Sequence, residues 1–202
     1  TSYPMALSAI SFFLMQSTDV LFISAYDTFD SVAYYSIAVK LASVTALALI
    51  SVNIVIAPKI ATIYNDKNFY ELKSILKKAT RINVVISLPI IIVLLCFSEY
   101  ILSTFGINYV LAKSALWVLL IAQFFNSVTG PSALYLNMTG RQKKLNVILL
   151  ISLLINIVLN IILVPAYGML GAAISTTASF IISKILASAL VLYLDNVKTF
   201  IS

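Results

Sequence analysis

Three ionisable side chains, Asp19, Lys40 and Lys184, lie inside long apolar stretches of this sequence. A charged group in the middle of a bilayer costs roughly 2.5–3.5 kcal/mol on insertion scales, so each one requires a partner or a water-filled cavity. Asp19 lies about 9 Å before the end of one apolar stretch, and Lys40 about 12 Å after the start of the next, at helical rise. Because these depths match, we expect both to face one polar space, as a pair or near-pair. The alternative is a buried ion pair that only fixes helix packing.

Lys184 and several amides form a second polar set inside the apolar stretches. Lys184 either enters a polar core or extends its ammonium group towards the membrane surface. Asn156 and Asn160 share one helix face because they are one turn apart, and Asn126 shares a face with Gln123. Such amides most often hydrogen-bond between helices and hold them together. Lys184, Asn126, Asn156 and Asn160 are therefore candidates for a polar core.

The residue types argue against a catalytic site. The chain has no histidine and a single cysteine, Cys96, so the commonest acid/base residue is absent and no disulfide can form within the chain. The sequence shows no nucleophile beside a base, no membrane-embedded pair of carboxylates and no glycine-rich phosphate loop. An embedded enzyme would be expected to show one of these. We therefore expect a transporter that is not an enzyme, with no cofactor and no metal site.

The composition places these residues in a membrane. Hydrophobic residues occupy 61% of the 202 positions and charged residues only 10%, whereas soluble domains carry roughly 25% charged residues. A soluble fold could not cover so much apolar surface, so the bilayer must be the solvent. The net charge of +6 comes mostly from two short basic segments. This placement indicates membrane orientation, and no nucleic-acid partner is expected.

The apolar stretches predict an all-α polytopic membrane protein, with a six-helix transmembrane bundle that fills residues 1–202 as a single domain. The predicted helices span about 4–25, 32–57, 82–101, 112–137, 145–164 and 169–193, each near the roughly 20 residues that a bilayer core requires. We expect Pro58 to lie just beyond the second helix, Pro89 to kink the third, and Gly130-Pro131 to interrupt the fourth. The basic segment 59–81 is either a helix at the membrane surface or a cytosolic extension of the neighbouring spans.

The placement of cations predicts the orientation of these helices. An even number of spans puts both termini on one side, together with the basic segment 59–81 and the turn at 141–144, which carry six and three Lys or Arg residues. The loops on the opposite side carry only Lys113. Because cationic loops resist translocation, both termini of this segment are expected in the cytoplasm.

Three stretches carry a resemblance to a known family, namely Asn137–Lys144, Leu154–Pro165 and Tyr167–Ala173. Upstream stretches agree with it in order and spacing: Ser17–Asp19, Tyr35–Leu41, Val55–Lys59, Phe125-Asn126 and Thr129–Pro131. Together they resemble the C-terminal half of bacterial polysaccharide-biosynthesis proteins, the O-antigen type lipid-linked oligosaccharide flippases of the multidrug/oligosaccharidyl-lipid/polysaccharide exporter superfamily. The resemblance covers nearly the whole chain.

This resemblance implies a transporter of two lobes around a central cavity, of which the chain would be the C-terminal lobe, cut from a longer polypeptide. The implied function is translocation of undecaprenyl-pyrophosphate-linked oligosaccharide across the bacterial cytoplasmic (inner) membrane, for cell-surface polysaccharide such as the O-antigen of lipopolysaccharide. The lobes would rock around the cavity in alternating access. The implied partners are the lipid-linked oligosaccharide, the lipid bilayer, the N-terminal lobe and the glycan polymerase machinery.

The resemblance also assigns roles to residues. Related transporters line the cavity with the first two helices of each lobe, where basic side chains meet the lipid pyrophosphate. By this analogy Lys40 is a substrate-facing cation, and Asp19 is its neighbour or a coupling-ion residue. Gln16 and Asn53, on the same two predicted helices, complete the substrate-binding candidates.

Two alternatives remain open. The first is a cation-coupled multidrug exporter of the same superfamily, in which acidic rather than basic cavity residues are expected, so that Lys40 argues against it. The second is a membrane scaffold without transport, in which Asp19 and Lys40 are purely structural. Substitution of Lys40 distinguishes these readings. A scaffold should lose stability, whereas a flippase should lose flux and stay folded.

Overall fold

The computed structural model describes the backbone of residues 2–197 and 199–200, with the side chains of Ile10, Phe13, Leu14 and of residues 17 onwards within that range. Every regular element in this part of the chain is helical. The elements are α1 (Ser2–Tyr26), α2 (Phe29–Val44), α3 (Ala46–Asn65), α4 (Phe69–Cys96), α5 (Ser98–Ser103), a 3-10 helix (Ile107–Ala112), α6 (Lys113–Thr129), α7 (Ser132–Met138) and α8 (Gln142–Asp195). The predicted all-α fold class is therefore confirmed.

Four described stretches are long and apolar enough to cross a membrane, namely Ala46–Asn65, Phe69–Cys96, Ile107–Thr129 and Gln142–Asp195. The chain is thus a polytopic membrane protein, as predicted. The last stretch, α8, has 54 residues. It would measure about 80 Å if it were straight, more than twice the roughly 30 Å of hydrocarbon core, so it must fold back.

α8 folds back at Gly168, whose φ of 54° and ψ of −134° are not helical. The side-chain amide of Asn156 donates a hydrogen bond of 3.1 Å to the Thr176 hydroxyl across this turn. The halves of α8 before and after Gly168 therefore lie side by side. A Cβ at Gly171 would come within 2.3 Å of the Leu163 carbonyl oxygen, so glycine is required for this close approach. The predicted division of the chain into six spans in one domain stays a prediction.

Two predicted helix ends are wrong, because the helices continue into the basic segment 59–81. α3 passes through Pro58 and ends only at Asn65, which a membrane helix tolerates because its surroundings can satisfy the freed backbone group. α4 begins at Phe69, and its basic first turns continue into the apolar span without a break. The segment is therefore an extension of the two neighbouring spans and not a separate surface helix.

Two interruptions shape the remaining helices. The break between α6 and α7 occurs at Gly130-Pro131, as predicted. The break between α2 and α3, at Thr45, is not anticipated by the sequence. The Thr45 hydroxyl donates to the Ala42 carbonyl at 2.7 Å, and such local side-chain hydrogen bonds compete with the backbone pattern of a helix.

Two groups of buried apolar side chains form the core. The first joins α1, α2, the second half of α4, α5, the 3-10 helix, α6 and the middle of α8, and includes Ile23, Tyr35, Leu116, Leu120 and Val164. The second joins α3, α4, α7 and both ends of α8, and includes Ile60, Leu72, Leu76, Tyr135 and Val191. Because lipid is as apolar as these side chains, close packing and interhelical hydrogen bonds decide how membrane helices associate.

Candidate functional site

Asp19 of α1 lies buried among the helices, with only 2% of its surface exposed. Its Oδ2 accepts hydrogen bonds from the Tyr35 hydroxyl at 2.7 Å and from the Thr176 hydroxyl. Its Oδ1 accepts from the side-chain amides of Asn160 at 2.9 Å and Asn156 at 3.4 Å. Neutral donors from α2 and from both halves of α8 therefore surround this carboxylate.

The donors around Asp19 are positioned by one another. Asn156 and Asn160 are one helical turn apart and face the same side of α8, and Asn160 donates to Asn156 Oδ1 at 3.2 Å. The turn of α8 brings Thr176 opposite them, within 3.1 Å of Asn156. A buried polar group is tolerated only when it is hydrogen-bonded. The Asp19 network thus lies where α1 packs against α8, its main neighbour.

A cavity of about 290 Å³ opens beside this network. α1 contributes Asp19 to its lining, α2 contributes Tyr35 and Lys40, α6 contributes Gln123, and the second half of α8 contributes Thr176. The remaining lining is largely aliphatic or aromatic. The lining therefore combines a carboxylate, a cation, hydroxyls and an amide with apolar side chains, and this mixture is typical of a site that orients a polar ligand.

Lys40 and Asp19 face this same cavity, but they do not form a salt bridge. The salt bridges among the described residues lie elsewhere in the chain, and the side chain of Lys40 is exposed. The alternative of a buried Asp19–Lys40 ion pair is therefore wrong. Lys40 lines the cavity with an exposed side chain, and the Asp19 carboxylate is stabilised by neutral groups.

Four predicted amides lie outside the cavity lining: Asn156 and Asn160, which donate to Asp19, and Asn126 and Asn53. Asn126 is buried on α6 and donates to Gln123 Oε1 at 3.3 Å, so it reaches the cavity wall only through Gln123. Asn53 is half-buried on α3, and its Oδ1 is buried without a hydrogen-bond partner among the described residues. The structure does not bring Asn53 to Asp19 and Lys40.

Lys184 is half-buried on the second half of α8. Its Nζ lies 5.3 Å from the centre of the Phe180 ring, a distance that suits a cation–π contact. Phe180 in turn lines the cavity, so Lys184 lies behind the cavity wall. The side chain of Gln16 lies outside the described residues.

A second buried carboxylate, Asp195, lies at the end of α8 and is bound by a cation. Arg141 donates from Nη2 to Asp195 Oδ1 at 2.8 Å and from Nη1 to the other oxygen. The Tyr135 hydroxyl donates to Asp195 at 2.6 Å, and Arg141 also donates to the Tyr64 hydroxyl at 3.0 Å. The hydrogen bonds to Asp195 raise the pKa of the Arg141 guanidinium above its ordinary value. This cluster ties together α3, α7 and both ends of α8.

Sequence reasoning missed Tyr35 and Thr176 at the first carboxylate and the whole of the Asp195 cluster. Tyr35 and Thr176 lie within apolar or small-residue runs, where a hydroxyl has no distinctive pattern. The sequence marks Arg141 as part of a basic turn and of the Asn137–Lys144 resemblance, and not as a partner of Asp195. The available signal was Asp195 itself, an acidic residue that directly follows an apolar span and therefore needs a partner.

Comparison with known proteins identifies related chains. The model of the MatE family matches residues 4–162. A protein of Shigella flexneri named "Putative O-antigen transporter" is 30% identical over 159 residues, which is 78% of this chain and 37% of the relative. A protein of Haloferax volcanii named "Probable low-salt glycan biosynthesis flippase Agl15" is 26% identical over 184 residues, which is 89% of this chain and 38% of the relative. The chain thus spans less than two fifths of the length of these relatives.

Proposed function

Because this chain belongs to the MatE family, as its sequence resemblance predicts, we propose that it forms one lobe of a flippase for a lipid-linked oligosaccharide. The relatives named as an O-antigen transporter and a glycan biosynthesis flippase support this substrate class. In the finer form of the proposal, the substrate is undecaprenyl-pyrophosphate-linked oligosaccharide in a bacterial cytoplasmic membrane. Both termini of this segment then face the cytoplasm, and an N-terminal lobe faces the cavity.

The observation that carries the proposal is the cavity between α1, α2, α6 and α8. Its lining includes Lys40, which forms no salt bridge within the described residues, and a carboxylate that accepts hydrogen bonds from neutral groups. A lysine ammonium is a compact point charge that binds phosphate oxygens. Its charge remains available for a pyrophosphate, because the neutral donors around Asp19 satisfy the carboxylate. We infer that Lys40 neutralises the pyrophosphate while hydroxyls and amides of the wall contact the adjoining sugar.

A second candidate function is supported by Asp19 itself. A buried carboxylate that lines a cavity and receives only neutral hydrogen bonds within the described residues could bind a coupling cation, as expected of a multidrug exporter in the same superfamily. Efflux of a cationic dye distinguishes the two. The exporter requires Asp19 for dye efflux and tolerates Lys40→Ala, whereas the flippase loses glycan flux with Lys40→Ala and moves no dye.

The flippase proposal is tested by Lys40→Ala in the full-length polypeptide, with oligosaccharide flux measured as surface polysaccharide per membrane-inserted protein. We expect normal abundance and a loss of flux of about tenfold or more, because one charge-assisted contact to phosphate is removed. Lys40→Arg, which keeps the charge, should retain most of the flux. Lys144→Ala is the matched control, since Lys144 is an exposed cation outside the cavity.

Two results contradict the proposal. Normal flux with Lys40→Ala would show that Lys40 does not contact the substrate during transport. Loss of abundance together with flux, in proportion, supports the scaffold alternative, in which Lys40 only stabilises the fold. The membrane-inserted amount must therefore be measured for every variant.

A further inference from the structure

A second cavity, of about 410 Å³, lies between α3 and α4 and is separate from the Asp19 cavity. Its lining is mostly aliphatic and includes Val52, Val55 and Ile56 from α3 with Ile75 and Ile82 from α4. Val55 is 61% exposed and Ile82 is 50% exposed, so the cavity opens on the apolar outer surface of the helices. We call it the α3–α4 groove.

Two cations line one end of this groove, Lys59 from α3 and Lys78 from α4. Along their helices they lie about 9 Å and about 14 Å from the turn that joins α3 to α4, at a rise of 1.5 Å per residue. Val52 and Ile82 lie deeper, each about 20 Å from the same turn. Both cations of the groove therefore lie in the half nearer the turn, together with Ile75 and Ile56, and the half farther from the turn has no cation in its lining.

Further positive charge surrounds the cationic end. Lys77 and Arg81 line an adjoining cleft of about 190 Å³ together with Lys78. The side chains of Lys59, Lys77, Lys78 and Arg81 are exposed. The salt bridges among the described residues involve none of them, so no carboxylate of the described chain neutralises this charge.

We propose that the α3–α4 groove binds an anionic phospholipid of the surrounding bilayer. Lys59 and Lys78 contact the headgroup phosphate, and an acyl chain lies along the aliphatic lining between Val52 and Ile82. The groove and the lipid match in two respects. Basic clusters at a membrane surface attract anionic headgroups, and an aliphatic surface accepts acyl chains. The inference is independent of glycan transport and stands or fails separately from it.

The proposal is tested by native mass spectrometry of the full-length protein in detergent micelles, titrated with phosphatidylglycerol or with phosphatidylcholine of the same acyl chains. The wild-type protein should bind phosphatidylglycerol more tightly. The double variant Lys59→Gln/Lys78→Gln should weaken phosphatidylglycerol binding by about tenfold or more, because two contacts to the phosphate are lost. It should weaken phosphatidylcholine binding much less, because the choline cation of that lipid already offsets its phosphate charge. The control Lys67→Gln/Lys73→Gln removes equal charge from the same basic segment outside the groove lining and should change little.

A second pair of variants tests the apolar part. Val55→Trp fills the groove and should weaken binding of both lipids, whereas Ile54→Trp, at a neighbouring exposed position outside the lining, should not. The proposal is overturned if the wild type does not distinguish the two lipids. It is also overturned if both double variants lose phosphatidylglycerol binding equally, because this indicates a diffuse basic surface. Complete displacement of the lipid by inorganic phosphate would overturn it too, because this indicates an anion site without an acyl chain.

Discussion

Asp19 and Asp195 are two buried carboxylates that the fold stabilises in opposite ways. Asp195 receives both arms of the Arg141 guanidinium and a tyrosine hydroxyl, at the end of α8. Asp19 receives two hydroxyls and two amides and no cation from the described residues. A tyrosine donates to each, Tyr35 to Asp19 and Tyr135 to Asp195, so the two sites differ mainly in the charge of their partners.

This difference separates a structural carboxylate from a candidate functional one. The charge of Asp195 is neutralised by a bidentate arginine. The cluster holds α3, α7 and α8 together, and the paired carboxylate has little remaining capacity to bind a ligand. The hydroxyl donors of Asp19 can rotate and can also accept hydrogen bonds, and the carboxylate lines a cavity. We therefore expect a substitution at Asp19 to disturb the helix packing less than one at Asp195.

The largest stability effect is expected from Asp195→Asn. The substitution leaves the Arg141 guanidinium without its counter-charge in a largely buried site, with its side chain 18% exposed, and such losses cost about 3 kcal/mol. Chemical unfolding of the purified protein in micelles should report this loss. Combining it with Arg141→Gln should recover part of the stability, and a purely additive double variant would contradict a direct pairing.

A smaller effect is expected from the matched substitutions Tyr35→Phe and Tyr135→Phe. Each removes one hydrogen bond to a carboxylate and keeps a fully buried ring, so each should lower the free energy of unfolding by about 1.5 kcal/mol. Flux per inserted protein should fall only for Tyr35→Phe, because Tyr35 lines the cavity. Equal loss of flux in both variants would remove the functional distinction between the two carboxylates.

The smallest effect is expected at a third, fully exposed carboxylate, Glu99, which accepts a hydrogen bond of 2.5 Å from Lys113. This bond holds the pKa of Glu99 below its ordinary value. A carboxylate with a lowered pKa stabilises the folded state at higher pH, and loses this contribution as the pH falls through the lowered pKa. Water and salt screen an exposed pair. We therefore expect Glu99→Gln and the wild-type protein to have the same melting temperature at each pH between about 8 and about 5. A clear change in that range would show that exposure does not weaken such pairs here.

The sequence predicts the helical membrane fold because apolar length and scarce charge are strong signals. It also selects Asp19, Asn156 and Asn160 as polar groups that need partners, and the structure brings all three together. Sequence alone could not show that they bond to one another, because the turn at Gly168 decides which helix faces meet. Gly168 itself lies within the break that the sequence predicts.

The sequence places Lys40 level with Asp19 because it predicts that the second helix starts at 32. The helix in fact starts at Phe29, which puts Tyr35 about 9 Å from its start and Lys40 about 16 Å. Tyr35 is thus the residue level with Asp19, and Lys40 lines the same cavity further along α2.

The most direct test of the account is the oligosaccharide flux of Asp19→Asn and of Asp195→Asn in the full-length polypeptide, each divided by the amount of folded protein in the membrane. For Asp19→Asn we predict near-normal abundance, because hydroxyls can accept from the new amide, together with a flux loss of about tenfold or more, because the charge of an ionisable group in the transport cavity is removed. For Asp195→Asn we predict low abundance with normal flux per folded molecule. Normal flux with Asp19→Asn, or a selective flux defect with Asp195→Asn at normal abundance, would contradict the assignment of the Asp19 cavity as the functional site.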